Sequence, residues 1–480
     1  MKMLDFMQDM LDDIYPGSRK TWDNSTTPVT QESGSTQLNE RFRQVMHSTG
    51  LKRFNNKRAF TEVSQWTGTE QKAIIQQLVA VVSPLFVSKA PFALHFIRAV
   101  CDLVTLAQYK SHDEDTLAYI QGALERMNVF KEEFRVYRRT LGEEKNFNYP
   151  KWHALTHIIQ DIRMYGALDG ICTGANSEAH HITMSRPSTT VDIQDRTYST
   201  RVTRPLPFRR LGWSIPGIQP HSTKLPLSEV AANIAISDFT HAAAVFVRNK
   251  RQAAAGQLIT SYDEDRLDVD PSWVGRMSVQ IHPSIKCWRS SGKRHNDPEH
   301  CDEEVVRCAP NWQQTGLWRR DYVWVQEFEH GDNRRQSRTV TDGRVVAQLH
   351  LILTIIDHTR YDKDGKHMAY IGAFSEVLLF NNNGQIDNTT GMLSVRRRAW
   401  NAAPKRRTLQ AFKFYDLSTI IRPVHLVPRD LPDSTTRTTM SYYVNNYIDW
   451  DEYNRLYSPT FDIDLLRTLR EYRRKRTRNN

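Results

Sequence analysis

The first strong periodic stretch begins at Trp66. In "WTGTEQKAIIQQLVAVVSPLF", Thr67 and Glu70 stand at capping-box spacing ahead of an apolar run, which predicts a helix. After Pro91 the pattern is apolar on most faces (Phe92, Phe96, Val100, Leu103, Val104, Leu106), as in a buried helix. Ser111 and Glu114 repeat the capping-box spacing. Leu117, Ile120, Leu124, Met127, Phe130, Phe134 and Tyr137 then recur every three or four positions, predicting a long amphipathic helix. One more helix is expected from Pro150, with Trp152, Leu155, Ile159 and Ile162 inward and Gly166 as its stop.

The pattern changes twice after that. Residues 185–227 have no clear period and are rich in Pro, Ser, Thr and Arg, as in a linker or an extended arm. A short helix is expected at "SEVAANIAISDFTHAAAVFVRN". From Ser278 to Pro428 the apolar runs become short and β-branched: "DYVWVQEF", "RVVAQLHLILTIID", "YIGAFSEVLLF", "MLSVRRRAW". Turn chemistry separates them ("HGDN", "DKDGK", "NNNGQ"), which predicts strands in a small barrel or sandwich. From Met440 the chain reads as helical again and finishes in "LREYRRKRTRNN".

The expected class is therefore α+β, with a helical N-terminal half, a β-rich C-terminal module and a basic helical tail. The segments are 1–35 (N-terminal), 36–184 (helical region), 185–227 (linker), 228–276 (helical connector), 277–430 (β module) and 431–480 (C-terminal helix and tail).

Composition adds constraints. With 480 residues, two or three domains are expected, and 11 Trp, 18 Tyr and 19 Phe supply bulk for real cores. The formal charge of +11 favours polyanionic partners, nucleic acid or an acidic membrane surface. "VVAQLHLILTIID", the longest apolar stretch, is too short and interrupted to span a bilayer, so no membrane partner is expected. An odd five cysteines and an acidic, amphipathic N-terminus without a leader pattern point to a reducing, intracellular setting. There is no P-loop, dinucleotide fingerprint or GxSxG elbow.

Several constellations could carry chemistry. His153 and His157 lie four apart, the spacing of a zinc-protease pair, but Ala154 stands where that motif needs its glutamate. Spacing alone thus leaves two surface histidines as the plainer reading. Cys287, His295, His300, Cys301 and Cys308 cluster without CxxC pairing, so free thiols and loop histidines are expected rather than zinc. Trp318, Tyr322, Trp324 and Phe328 nearly alternate, fitting a packed strand face, with base stacking or a methyl-lysine cage as the functional alternative. Basic clusters stand at Arg396, Arg397, Arg398, at Lys405, Arg406, Arg407, and in the tail at Arg467, Arg470, Arg473, Arg474, Lys475, Arg476 and Arg478. They read as phosphate contacts or an import signal, against a solvated helix end. Glu178, three residues before His181, reads by itself as a charge near a helix start.

An ordered set of segments makes a resemblance. "LNERFRQVMHSTGLKRF", "VSQWTGTEQKAIIQQLVAVV", "LVTLAQYKSHDEDTLAYIQGALERMNVFKEEF", "YPKWHALTHIIQDIRMYGALDGICTGANSEAHHI" and "PVHLVPRDLP…YYVNNYIDWDEY" follow one another here. Together they resemble the C-terminal part of fungal transposases of the Plavaka group, related to CACTA elements. Residues 38 to 185 carry the resemblance best and 270 to 455 more weakly.

The resemblance implies an RNase H-like nuclease whose three carboxylates hold two divalent metals, Mg²⁺ or Mn²⁺, that activate water and a DNA 3′ end. It places the third carboxylate at Glu178, with His181 at the motif's histidine, and makes the helices from Thr67 to Glu144 the insertion before it. The family's first two aspartates belong to upstream strands that match nothing in this chain. The resemblance therefore implies a nuclear, transposase-derived protein that does not transfer strands alone, takes no cofactor as an isolated chain, and keeps DNA or protein-partner binding. The alternatives are a peptide- or protein-binding scaffold, and an active nuclease rebuilt from acids such as Asp161, Asp169 or Asp192.

Overall fold

The structure, a computed structural model, describes residues 2–15, 33–46, 51–52, 54, 60–62, 66–109, 112–140, 150–166, 210–214, 224–234, 236, 239–256, 271–290, 301–309, 319–327, 341, 343–397, 412–430, 441–448, 453 and 456. Among the described residues the N-terminal half holds α1 (Lys2–Ile14), α2 (Gly34–Gln44), α3 (Gly68–Phe86), α4 (Pro91–Ala107), α5 (Glu114–Thr140), α6 (Pro150–Leu155) and α7 (Ile158–Tyr165).

Helix α3 starts as its sequence predicts. Glu70 N–H donates to Thr67 Oγ1 (3.3 Å), and the Glu70 carboxylate accepts from Thr67 N–H (2.9 Å). That carboxylate is fully buried and also meets Lys52 Nζ at 2.6 Å. Helix α4, buried on most faces as expected, starts with Pro91 at a position whose N–H has no helical partner anyway.

The start of α5 differs from the expected Ser111/Glu114 box. Asp113 and Thr116 cap it reciprocally, each backbone N–H donating to the other's side chain at 2.7 Å. Aspartate is among the best N-caps, and it stands one residue ahead of the helix; Ser111 lies outside the described residues.

The helix expected from Pro150 is two, α6 and α7. At the break, the Thr156 hydroxyl donates to the His153 carbonyl (2.6 Å), and Thr156 and His157 N–H make tighter, three-residue bonds to His153 and Ala154. Gly166 does end α7: its φ of 83° suits a residue without Cβ, and its N–H reaches the Ile162 carbonyl at 2.8 Å.

Among its described residues the C-terminal half combines helices, among them a short one at Pro271–Val274, with antiparallel strands. Strands β1 (Arg210–Ser214) and β2 (Leu225–Pro226) precede α8 (Leu227–Ile234) and α9 (Phe239–Ala254). Then come β3 (Met277–His282), β4 (Ser284–Ser290), β5 (Cys301–Ala309), β6 (Arg319–Arg320), β7 (Tyr322–Gln326), β8 (Arg344–Tyr361), β9 (His367–Val377), β10 (Leu379–Phe380) and β11 (Leu393–Arg396). The last are β12 (Phe412–Asp416), β13 (Ile420–Val424), β14 (Leu426–Pro428) and β15 (Ser441–Val444).

A large sheet runs β12-β9-β8-β3-β2, with β7 and β13 added beside β8. Smaller sheets run β1-β4-β5-β6 and β10-β11-β15-β14. Helices with antiparallel sheets give the α+β class. Three local expectations change. Residues 210–214, inside the expected linker, pair with β4 because Leu211 and Trp213 sit in a short strand-forming run. The single helix after Pro226 is two. The stretch from Met440, expected as helix, begins with β15, whose Tyr442, Tyr443 and Val444 are buried between β11 and β14.

One face of the large sheet packs on the β1-β4-β5-β6 sheet through Val323, Val325, Ala347, Leu349, Ile352 and Ala373. The other face is covered at one end by α8 and α9, through Leu351, Leu353, Ile355 and Phe374. At its other end the β10-β11-β15-β14 sheet covers it through Tyr322, Trp324 and Val346. Gly372 lets α9 approach, since a Cβ there would lie 2.6 Å from Phe246 Cζ.

The two halves share a core. Met392, Val427, Tyr443, Tyr447 and Tyr453 pack among the helical residues. At the centre lies Asp102 of α4, fully buried. Its carboxylate accepts from Tyr447 Oη (2.7 Å), Tyr453 Oη (2.9 Å) and Arg126 Nη2 (3.1 Å), and Arg98 Nε lies 3.7 Å away. Arg98 also donates to the Asn388 carbonyl at 3.1 Å, so one carboxylate ties α4, α5 and the C-terminal segment together. Beside it His95 stacks on Phe130, and burial, then Arg98, pushes its imidazole down to about 4, which keeps it neutral at pH 7.

Candidate functional site

The alternation of β8 reverses at His350. Before it, Ala347 and Leu349 face the β4–β5 sheet; after it, Ile352 does, and Leu351, Leu353 and Ile355 turn to the helices. The β8–β9 register slips between Leu349 and Leu351, so His350 is the extra residue of a β-bulge. The bulge falls between the two coverings of the outer face, where the sheet carries a polar row.

Tyr322 pairs Gln348, Gln348 pairs Glu376, and Glu376 pairs Phe412, crossing β7, β8, β9 and β12. Arg397, just past β11, reaches over this row. Its Nη2 donates to Tyr322 Oη (3.3 Å) and to Gln348 Oε1, and its Nε stands 3.9 Å from Glu376. His350 Nε2 lies 3.5 Å from the same carboxylate, and its ring meets Phe412 edge-on with 5.2 Å between ring centres.

Electrostatics fixes the charge states. Burial disfavours the charged Glu376, but the nearby His350 imidazole, Arg397 and Arg320 outweigh it and hold the carboxyl below its ordinary value. Burial pushes the Tyr322 phenol up, so it stays protonated. The row brings together an anion, a cation, an amide, a phenol and the His350 imidazole.

A pH prediction follows from Glu376. Because its folded value is depressed, its contribution is present above the ordinary carboxyl value of 4.5 and is lost as pH falls through the lower folded value. Stability measured by urea unfolding should drop more steeply below about pH 4.5 in the native protein than in Glu376→Gln. Parallel acid limbs for the two proteins would contradict it.

Further arginines stand on β5 and β6. Arg319 Nε meets Asp321 Oδ1 at 2.8 Å, and Asp321 also accepts the Arg307 backbone N–H at 2.8 Å. Burial and then the Arg319 charge lower the Arg307 pKa, while Arg320 is within electrostatic reach of Glu376. Arg319 thus pairs with Asp321, while Arg320 and Arg397 lie within electrostatic reach of Glu376.

The residues singled out in the sequence are dispersed. Arg396 is exposed and Arg397 is half-buried in the polar row, so these neighbours differ in role. Arg398, Lys405, Arg406, Arg407, Arg473, Arg474, Lys475, Arg476, Arg478, Glu178 and His181 lie outside the described residues, as do Asp169, Asp192, Trp318, Phe328, His295 and His300. Tyr322 and Trp324 are core side chains, packed against Tyr442 and Phe380. Cys287 and Cys308 are free thiols buried in an apolar cluster, where burial raises the Cys308 thiol to about 12. Among the described residues no three His, Cys, Asp or Glu side chains come together as metal ligands, and Asp161 joins no such group. A Mg²⁺ or Mn²⁺ centre therefore has no ligand set there.

Sequence reading passed over Gln348, His350 and Glu376. The signal was present: Gln348 and His350 are the polar residues interrupting "VVAQLHLILTII". No helix among the described residues is long and apolar enough to cross a membrane. Comparison with protein-family models, with curated proteins and with solved structures yields no match.

Proposed function

We propose that the chain is a transposase-derived nuclear protein that binds DNA through its phosphate backbone and does not transfer strands by itself. The carrying observation is the chain's charge of +11 together with its basic runs at Arg396–Arg398, Lys405–Arg407 and Arg473–Arg476. Guanidinium groups suit phosphate because their planar fork donates two parallel bonds. Arg398 follows Arg397 directly in the chain, and Lys405, Arg406 and Arg407 come soon after, so the sequence extends the same charge. In this reading the sheets form a small sandwich, and the basic tail is helical when it meets phosphate. Glu178 and His181 remain at the motif positions of the resemblance, and Mg²⁺ or Mn²⁺ would matter only if companion acids completed the catalytic site.

Fluorescence anisotropy of a labelled duplex, titrated at several salt concentrations, tests this. Affinity should fall steeply with salt, and removing residues 473–480 or making Arg396→Ala should flatten the slope by about 0.9 per lost phosphate contact. Absence of binding at low salt, or a slope that neither change moves, would reject the reading. A protein partner recovered alongside absent DNA binding would favour the scaffold alternative.

A further inference from the structure

The break between α6 and α7 sets up a second, separate site. His153 sits in the last turn of α6, and His157 is the residue on which α7 begins. Both are exposed, their rings stand nearly perpendicular at 81°, and their Nε2 atoms are 3.3 Å apart.

That separation matches a chelate. Two imidazole nitrogens at roughly 2.0–2.1 Å from one metal ion are about 3.3–3.4 Å from each other at a tetrahedral centre and about 2.8–3.0 Å at a square or octahedral one, so small rotations of the two exposed rings serve either geometry. The pair is also held in place. Thr156 and His157 N–H bond back to His153 and Ala154, Asp161 N–H bonds to the His157 carbonyl (2.9 Å), and buried Ile158 and Ile162 seat α7 in the helical core. Solvent can reach both rings, leaving the other coordination positions to water.

We propose that His153 and His157 form a two-imidazole clamp for a first-row divalent ion of the imidazole-preferring kind, Ni²⁺, Cu²⁺ or Zn²⁺, and not for Mg²⁺ or Ca²⁺. Bound metal would staple α6 to α7 across their break. A lone Nε2–H···Nε2 hydrogen bond is the rival account of the same distance. The clamp is independent of any DNA binding.

Ni²⁺ alone is the probe, added to the full chain in calorimetric titration and thermal unfolding. Native protein should bind about one more Ni²⁺ than His153→Ala or His157→Ala, and its unfolding midpoint should rise with Ni²⁺ by mass action. EDTA should reverse the rise, and acid should weaken binding because ligating imidazoles must be unprotonated. Another pair of close rings, His358 and His367 (4.7 Å between centres), supplies the control. The double variant His358→Ala/His367→Ala should keep the full response. Equal Ni²⁺ binding by the native protein and the His153 and His157 variants overturns the proposal, as does loss of the response in the control.

Discussion

Asp102→Ala should lower the unfolding free energy by about 3–5 kcal/mol, because removing one member of a buried ion cluster leaves the others charged and uncompensated. Here the others are Arg98 and Arg126, both buried, along with the Tyr447 and Tyr453 hydroxyls that now donate to Asp102. Urea unfolding of the full chain measures the loss. Asp102→Asn separates charge from hydrogen bonding: an amide oxygen can still accept from the tyrosines but cannot neutralise the guanidiniums. It should cost nearly as much as alanine. Tyr453→Phe, which removes one donor and leaves the charges paired, should cost about 1 kcal/mol. A loss below about 1 kcal/mol for Asp102→Ala would show that water or another group compensates the arginines. Because Tyr447 and Tyr453 lie far along the chain from α4, the same variant should loosen the C-terminal segment, read as faster amide exchange around Ser441–Ile448.

That cluster also marks the limit of reading the chain in one dimension. The local elements were legible because their causes are local: Thr67 and Glu70 cap α3, Pro91 opens α4, Gly166 ends α7, and turn residues separate the long strands. Asp102 within "AVCDLVTLA" looks like a polar residue on a helix edge, since the groups that hydrogen-bond to it stand 24 to 351 residues away. Residues 210–214 read as linker for the same reason: five residues show no period, and only pairing with β4 makes them a strand. The polar row has a fainter trace. An even alternation would put Gln348 and His350 on one face and keep Leu351 off it, and only a bulge reconciles the apolar neighbours with two buried faces. Arg396 and Arg397 are alike in sequence, and what separates them is the cross-strand position of Tyr322 and Gln348.

Trp324→Ala should destabilise the protein by about 3–5 kcal/mol, the cost of emptying a large aromatic site in a packed core. Trp324 is 1% exposed, lies on β7 opposite Val346 of β8, and stacks on Phe380 with 6.2 Å between ring centres. Around it are Val346, Leu393, Val395, Leu426 and Val444, contributed by the large sheet and the β10-β11-β15-β14 sheet. Those two sheets meet through this side chain, so the cavity cannot close without moving one against the other, which puts the loss toward the upper end. Trp324→Phe keeps most of the volume and should cost markedly less. The same pair of variants separates packing from recognition. If the indole stacked on a base or a methylated lysine, Trp324→Phe would weaken binding while leaving the fold intact. With the indole in the core, the phenylalanine variant should bind duplex DNA with unchanged affinity and salt slope, and the alanine variant should show its defect first in the urea midpoint. A stable Trp324→Ala protein with impaired binding would move this residue from the core to the interface.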